Sequence, residues 1–326
     1  MLPPMGARKA LFVLDPPETF SPTGDSTYVM VTEAIRRGHE PYGALMEDLS
    51  LHGSEGFANA RPLGFRDGDA TLRFIDEPVR QPMAGFDVVI MRKDPPVDQG
   101  FMTSTWILDR AGTLVVNEPA GLRSLNEKLS IAAFSELTPR TFVSRDQDEL
   151  REILTTLGGR MIVKPVYGFG GREILLARED DANLGSILEM ATAEGTRWTV
   201  AQEYVPAASE GDKRILLVDG ESIGAVLRVP AKGELRNNFH AGGAPVQIEL
   251  DDNDRKICAA VGPMLRETGQ FFVGIDVIGG KLTEINVTSP TGMQEINRLE
   301  QRDKATTTQS LFWDGIESKL GGAGSS

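Results

Sequence analysis

Three polar residues interrupt two otherwise apolar runs late in the chain: Asp276, Glu284 and Asn286 in GIDVIGGKLTEINVTSP. Glu284 and Asn286 are two positions apart, so on a strand their side chains share a face. Asp276 joins them only if it lies directly opposite Glu284. That pairing sets Ile278 against Leu282 and predicts a three-residue loop, Gly279-Gly280-Lys281; a two-residue turn would put Asp276 opposite Thr283, on the other face. Two carboxylates and an amide oxygen on one face are hard oxygen ligands, the set that suits Mg²⁺ ions bridging nucleotide phosphates. An edge hairpin with solvated acids is the plainer alternative. Burying such a trio within apolar strands is expensive without a cation, which favours the metal.

A second group is VKPVYGFGG, where Lys164 ends an apolar strand and Gly168, Gly170 and Gly171 follow in a flexible loop. Glycines let backbone N–H groups approach phosphate oxygens, and a lysine adds a point charge. No Gly-Lys-Ser/Thr follows, so this is not a Walker A loop, and the strand that comes next excludes a Rossmann fingerprint. Lys128 in NEKL is either a second phosphate ligand or an exposed lysine; by itself it reads as surface. Gln202, Glu203, Tyr204 and Val205 in AQEYVP lie where a strand passes into an extended segment, suited to hydrogen-bonding an adenine edge. Arg214, Arg228 and Arg236 suggest anion capture in an acidic protein, although each taken singly is more often solvated or ion-paired.

Positioning these groups requires an α/β framework. Apolar runs alternate with helical patterns from KALFVLDP to TLVVNEP, which predicts a largely parallel sheet over residues 1 to 123. The helix of residues 26 to 37 should stop at Gly38. A second unit starts near Ser124 with a helix over NEKLSIAAF, then strands and helices flanking the glycine loop. Asp219-Gly220 marks a hairpin between KRILLVDG and SIGAVLRVP. Residues 231 to 244 lack apolar periodicity and predict a mobile loop of functional length. A last helix should end near Leu320, before a disordered tail over 321 to 326.

A chain of 326 residues supports two or three subdomains. The net charge of −13 argues against nucleic acid and anionic membrane as partners. There is one cysteine, Cys258, so there is no internal disulfide and no thiolate-rich metal site, as in a reducing compartment. It falls on an amphipathic helix and reads as core rather than nucleophile. No apolar run is long enough to cross a bilayer, and the N-terminus lacks the features of a signal peptide, so a cytoplasmic location is expected.

Taken in order, MRKDPP (91 to 96), NEKL, KPVYGFGG, AQEYVP, GDKRILLVDGE, RVP, AGG and VGIDVIGGKLTEINVTSPTG resemble the bacterial glutathione synthetases over nearly the whole chain. The resemblance implies an α/β pre-ATP-grasp domain (1 to 123) followed by a two-part ATP-grasp fold, 124 to 203 with the glycine loop and 204 to 320 with the metal and substrate site. It implies ATP and Mg²⁺, or Mn²⁺, as cofactors: Lys128, Lys164 and the three loop glycines on the phosphates, Gln202 to Val205 on adenine, and Asp276, Glu284 and Asn286 on the metal. Arg214 and Arg228 would bind γ-glutamylcysteine, with Asp25, Ser26, Arg92, Thr288 and Ser289 on the substrate side. Arg228 would stabilise the reacting oxyanion, and the loop carrying Arg236 would close over the site. The implied reaction joins γ-glutamylcysteine to glycine through an acyl phosphate, in a homo-oligomer. The alternatives are another ATP-grasp carboxylate-amine ligase and a non-catalytic ATP-binding protein. The family's glycine loop commonly carries small or acidic residues where this chain has aromatic ones.

Overall fold

The computed structural model describes residues 6–231 and 242–322, which form three sheets with helices on their faces. The first sheet contains β1 (Lys9–Val13), β2 (Glu40–Ala44), β3 (Leu49–His52), β4 (Glu55–Gly64), β5 (Arg73–Phe74), β6 (Val79–Pro82), β7 (Val88–Met91) and β8 (Leu114–Val116). Its centre, β2-β1-β7-β8, is parallel, as the sequence predicts. The other half is not: β4 pairs antiparallel with β2, β3, β5 and β6. Side chains of β4 largely alternate between buried and partly exposed, a fainter signal than the continuous buried runs Ala10 to Val13 of β1 and Val88 to Met91 of β7. Helices α1 (Ser26–Arg36), α2 (Gln99–Leu108) and α3 (Pro119–Ser124) complete this unit, and Gly38 stops α1 with φ of 78°.

Strands β9 (Thr141–Ser144), β10 (Arg160–Pro165), β11 (Leu175–Arg178) and β12 (Thr199–Glu203) form an antiparallel sheet in the order β11-β10-β12-β9. With α4 (Gln147–Thr156) and α5 (Leu184–Thr192) it encloses its own core, including Leu150, Leu154, Met161, Val163 and Leu188. The helix expected over residues 126 to 134 is instead a 3₁₀ stretch, Ser130–Leu137, broken at Phe134. Asn126 Oδ1 accepts the backbone N–H groups of Lys128 and Leu129, and the Glu127 carbonyl accepts from Ile285 N. These side-chain and cross-domain bonds replace those of a regular helix.

The third sheet runs β15-β14-β13-β16-β17, all antiparallel, from β13 (Asp212–Val218), β14 (Glu221–Val229), β15 (Ala244–Gln247), β16 (Phe272–Ile278) and β17 (Lys281–Asn286). Helices α6 (Asp252–Glu267), α7 (Met293–Leu299) and α8 (Thr308–Gly322) belong to the same half of the chain. Asp219 and Gly220 both have positive φ, 49° and 79°, the turn their identities predict. Helix α8 ends two residues beyond the expected Leu320, and residues 323–326 lie outside the described part.

Asp276 stands opposite Glu284, though not by way of a three-residue loop. The turn is the two-residue Gly279-Gly280, with φ of 54° and 74°, and Ile278 pairs with Lys281. Register is recovered by a bulge: Thr283 is passed over between Leu282 and Glu284, and its hydroxyl donates to the Asp276 carbonyl at 3.1 Å. The extra residue returns the carboxylates to one face.

Two large cores tie the first sheet to the third. One joins Leu11, Val13 and Val89 to Ile215, Val273 and Ile285; the other joins Phe12, Leu14 and Met30 to Leu216, Phe312 and Trp313. Trp313 is fully buried, packs against Phe12 and Phe312, and donates its indole N–H to the Met30 carbonyl at 2.9 Å. Trp313→Ala should lower the unfolding free energy by about 3–5 kcal/mol. Trp313→Phe, which keeps most of the ring contact and loses one hydrogen bond, should lower it by about 1 kcal/mol. Urea unfolding of both variants checks this; equal losses would show that packing is not what holds α8.

Candidate active site

Strand register brings the ionic groups together. Asp212 pairs with Arg228, Arg214 with Asp276, and Asp276 with Glu284. Arg214 grips Asp276 with both ends of its fork, Nε to Oδ1 at 2.6 Å and Nη2 to Oδ2 at 3.0 Å. Arg228 Nη2 reaches Asp276 Oδ1 at 3.0 Å, and Asn286 Nδ2 donates to Oδ2 at 3.2 Å. Two donors on each oxygen fill the roughly four acceptor positions of a carboxylate. Arg228 is itself gripped by Asp212, through Nε at 2.5 Å and Nη2 at 2.8 Å.

Asp212, Arg214, Arg228 and Asp276 are buried, Glu284 and Asn286 half-buried, and the charges decide the protonation states. Burial works to raise the Asp276 carboxyl, but Arg214 and Arg228 outweigh it and hold Asp276 well below the usual carboxylate range. At Asp212 burial wins, aided by the neighbouring Asp276, and the carboxyl is raised despite Arg228. Burial alone would raise Glu284; Lys164 and Lys128 pull it below its ordinary value. Cys258 lies outside the site, its thiol pushed up to about 11 by burial and by Asp254, which suits core rather than nucleophile.

Lys164, at the end of β10, pairs with Glu284 Oε1 at 3.1 Å, and Lys128 Nζ donates to the Gly168 carbonyl. Gly168 turns so tightly that a Cβ there would lie 2.6 Å from Pro165, and Gly170 and Gly171 take φ of 63° and 72°. A side chain at any of the three would be strained. Both lysines, the three glycines, Gln202, Arg214, Arg228, Asp276, Glu284, Asn286, Thr288 and Ser289 line one cleft of about 380 Å³. Lys128 is therefore no surface residue; it is 4% exposed.

Other expected residues lie elsewhere. Glu203, Tyr204 and Val205 do not line this cleft. Glu203 accepts from Arg140 N, Arg160 lies over the Tyr204 ring, and Val205 abuts Gly279. Asp25 caps α1 through Thr27 N and Tyr28 N, and Ser26 Oγ accepts from Met293 N. Arg92 donates to Thr27 Oγ1 and to the Pro290 carbonyl, while Arg214 donates to the Thr291 carbonyl. Ser26 and Arg92 thus support the 290–293 segment, the Asp25 carbonyl accepts from Gln294 Nε2, and none of the three lines the cleft. Arg236 and most of the expected loop over 231 to 244 lie outside the described residues.

Sequence reasoning passed over Asp212 and Glu127. Asp212 had a signal: two residues before Arg214, it shares that residue's strand face. Glu127 is half-buried beside Lys128 and accepts from Thr288 Oγ1 at 2.8 Å.

The donors present suit a divalent cation held jointly with a ligand. Among the described residues no three His, Cys, Asp or Glu side chains converge on one point. Glu284 Oε2 and Asn286 Oδ1 have no protein partner among the described residues, which leaves oxygen ligands at the cleft wall. Two protein oxygens completed by phosphates and water is the pattern Mg²⁺ favours.

Burial is the largest influence on Glu127, and it leaves the carboxyl raised although Lys128 and Thr288 oppose it. A carboxyl raised on folding weakens the fold as pH climbs from its unfolded value, near 4.3, through its folded one. Glu127→Gln, which carries no charge, should therefore be more stable than the native chain at pH 8, and the gap should close below about pH 4. Urea unfolding across this range checks it; a gap independent of pH would contradict the buried charge.

Comparison with known proteins agrees with this geometry. The family model for the N-terminal domain of prokaryotic glutathione synthetase matches residues 9–123, and that for its ATP-grasp domain matches residues 127–301. The chain is 43% identical to the glutathione synthetase of Rhodopseudomonas palustris, over 95% of this chain and 98% of that one. It is 44% identical to the Escherichia coli O6:H1 glutathione synthetase, over 94% and 97%. In fold it is similar to a D-cycloserine synthetase, with a TM-score of 0.67 at 14% identity over 95% and 99% of the two chains. It is also similar to the D-alanine–D-alanine ligase of Bacillus anthracis complexed with ATP, with a TM-score of 0.57 at 15% identity over 98% of each. The protein belongs to the prokaryotic glutathione synthetase family.

Proposed function

We propose that the protein is a glutathione synthase, joining the cysteinyl carboxylate of γ-glutamylcysteine to the amine of glycine at the expense of ATP, by way of an acyl phosphate. The observation that carries this reading is the convergence of two lysines, two arginines and the Glu284–Asn286 pair on one cleft. The match to glutathione synthetases over almost the full chain supports the choice of substrates. Subdomain boundaries at 123/124 and 203/204 fit the spans of the three sheets.

Each half of the reaction then has its residues. A carboxylate oxygen attacks the γ-phosphorus and ADP leaves; the amine next attacks the acyl carbon and phosphate leaves. Lys128, Lys164 and the backbone of the glycine loop hold the phosphates, and Gln202 lies at the adenine end. Arg214 and Arg228 orient the acid, and Arg228, steadied by Asp212, faces the oxyanion that forms when the amine adds. Glu284 and Asn286 would hold Mg²⁺, with Asp276 joining them as it gives up an arginine contact. When bound, the ion neutralises charge on the transferred phosphoryl group.

Phosphate release by the purified protein with ATP, Mg²⁺ and γ-glutamylcysteine should depend on glycine, with glutathione detected by mass spectrometry. Lys164→Ala and Arg228→Ala should each lower kcat by about 10²–10³-fold, the usual loss when a preorganised charge partner is removed. ATP binding without glutathione formation would redirect the assignment to another acid or amine.

A further inference from the structure

The carboxyl ends of β7 and β8, neighbouring parallel strands, face the third sheet. Open α/β sheets usually hold ligands at such ends. Here each strand is followed at once by a polar side chain, Arg92 after Met91 and Asn117 after Val116, that grips β16 or the segment leaving β17 instead. Asn117 is buried and engages both ends of its carboxamide. Nδ2 donates to the Phe272 carbonyl at 2.8 Å and to the Val287 carbonyl at 2.6 Å, and Oδ1 accepts from Phe272 N at 2.7 Å. Strand register gives these contacts their meaning. The β16–β17 ladder stops at Gly274 and Asn286, and continuing it would set Phe272 against Thr288. The Asn117 carboxamide takes that place, and the chain beyond Val287 leaves the sheet.

What leaves the sheet is one wall of the cleft, Thr288 to Thr291. Pro290 folds back over Gly274, where a Cβ would meet Pro290 Cβ at 2.9 Å and Arg214 Cδ at 3.1 Å, and the Thr291 carbonyl accepts from Arg214 Nη1 at 3.3 Å. The wall therefore braces Arg214. We propose that Asn117, which does not itself line the cleft, is a positioning residue for the reaction: by ending the β16–β17 ladder it turns the 288–291 wall into the cleft and fixes Arg214 there. The inference rests on the ligase reading above, in which Arg214 orients the acid. Without the carboxamide, the Phe272 N–H and the Phe272 and Val287 carbonyls lose a buried partner, and such groups must be satisfied by something. The nearest replacement is Thr288 joining the ladder. That extension draws the wall away from Arg214.

Steady-state kinetics of Asn117→Ala test this. Its kcat/KM for γ-glutamylcysteine should fall about 10²-fold, the scale of an ångström-sized misplacement, with a raised KM for that substrate. The KM for ATP should shift less than about twofold, because Lys128, Lys164 and the glycine loop belong to other segments. A residue that only held the fold together would, when lost, lower kcat through the folded fraction and leave both KM values unchanged. That pattern overturns the proposal. Asn117→Ser, whose hydroxyl is too short to span Phe272 and Val287, is the milder change and gives the same test if Asn117→Ala does not fold. A readout without turnover separates the inference from the ligase reading. Hydrogen–deuterium exchange in the peptide over 285–293 should change by about threefold or more in the variant, while the peptide over 164–171 keeps its native rate. Unchanged exchange over 285–293 overturns the positioning role by itself; changed exchange in a chain that forms no glutathione supports the placement of the wall and counts only against the ligase reading.

Discussion

The carboxylate of Asp276 is the point on which the site depends. It lies on a central strand of the third sheet, accepts from Arg214, Arg228 and Asn286, and through Arg228 is linked to Asp212. Four strands thus converge on one buried anion, and their registers are set by the need to reach it. Removing one partner from such a buried cluster costs about 3–5 kcal/mol, because the remaining charge is left without compensation. The same saturation has a chemical meaning. Asp276 has no acceptor position to spare, whereas Glu284 and Asn286, on the neighbouring strand, each keep an oxygen without a partner among the described residues. The cluster therefore separates into arginines organised by aspartates and oxygens left for a cation, which Asp276 would join only by giving up an arginine contact.

Much of this was legible in the sequence, because the residues concerned are chemically out of place in apolar strands. Asp276, Glu284 and Asn286 stand out in that way, and Asp219-Gly220 announces its turn by conformation alone. The bulge at Thr283 was not legible. A threonine is at home in any strand, and nothing in its side chain marks the position where the ladder gains a residue; only the requirement that the acids share a face pointed to some irregularity, and the loop was the wrong place for it. The antiparallel half of the first sheet was obscured because β4 buries one face only. Lys128 read as surface because its burial comes from segments distant in the chain, the glycine loop and β17. For the same reason Glu127 gave no signal: a lone acid before a lysine is ordinary until Thr288 is brought against it.

The cores divide the molecule unequally. Two of them run through the first and third sheets, so those sheets form one apolar body, and α8 seals it with Trp313. The second sheet, with α4 and α5, encloses a core to which neither of the others contributes.

Polar contacts join that unit to the site. Lys164, from the second sheet, reaches Glu284 on the third, and Lys128 reaches the carbonyl of Gly168 in the loop. An ammonium prefers a multiply charged phosphate to a single carboxylate or a neutral carbonyl. Polyphosphate entering the cleft would therefore draw Lys164 from Glu284 and Lys128 from Gly168. The exchange would leave the Glu284 carboxylate free for a cation, and both lysine contacts lie outside the two large cores.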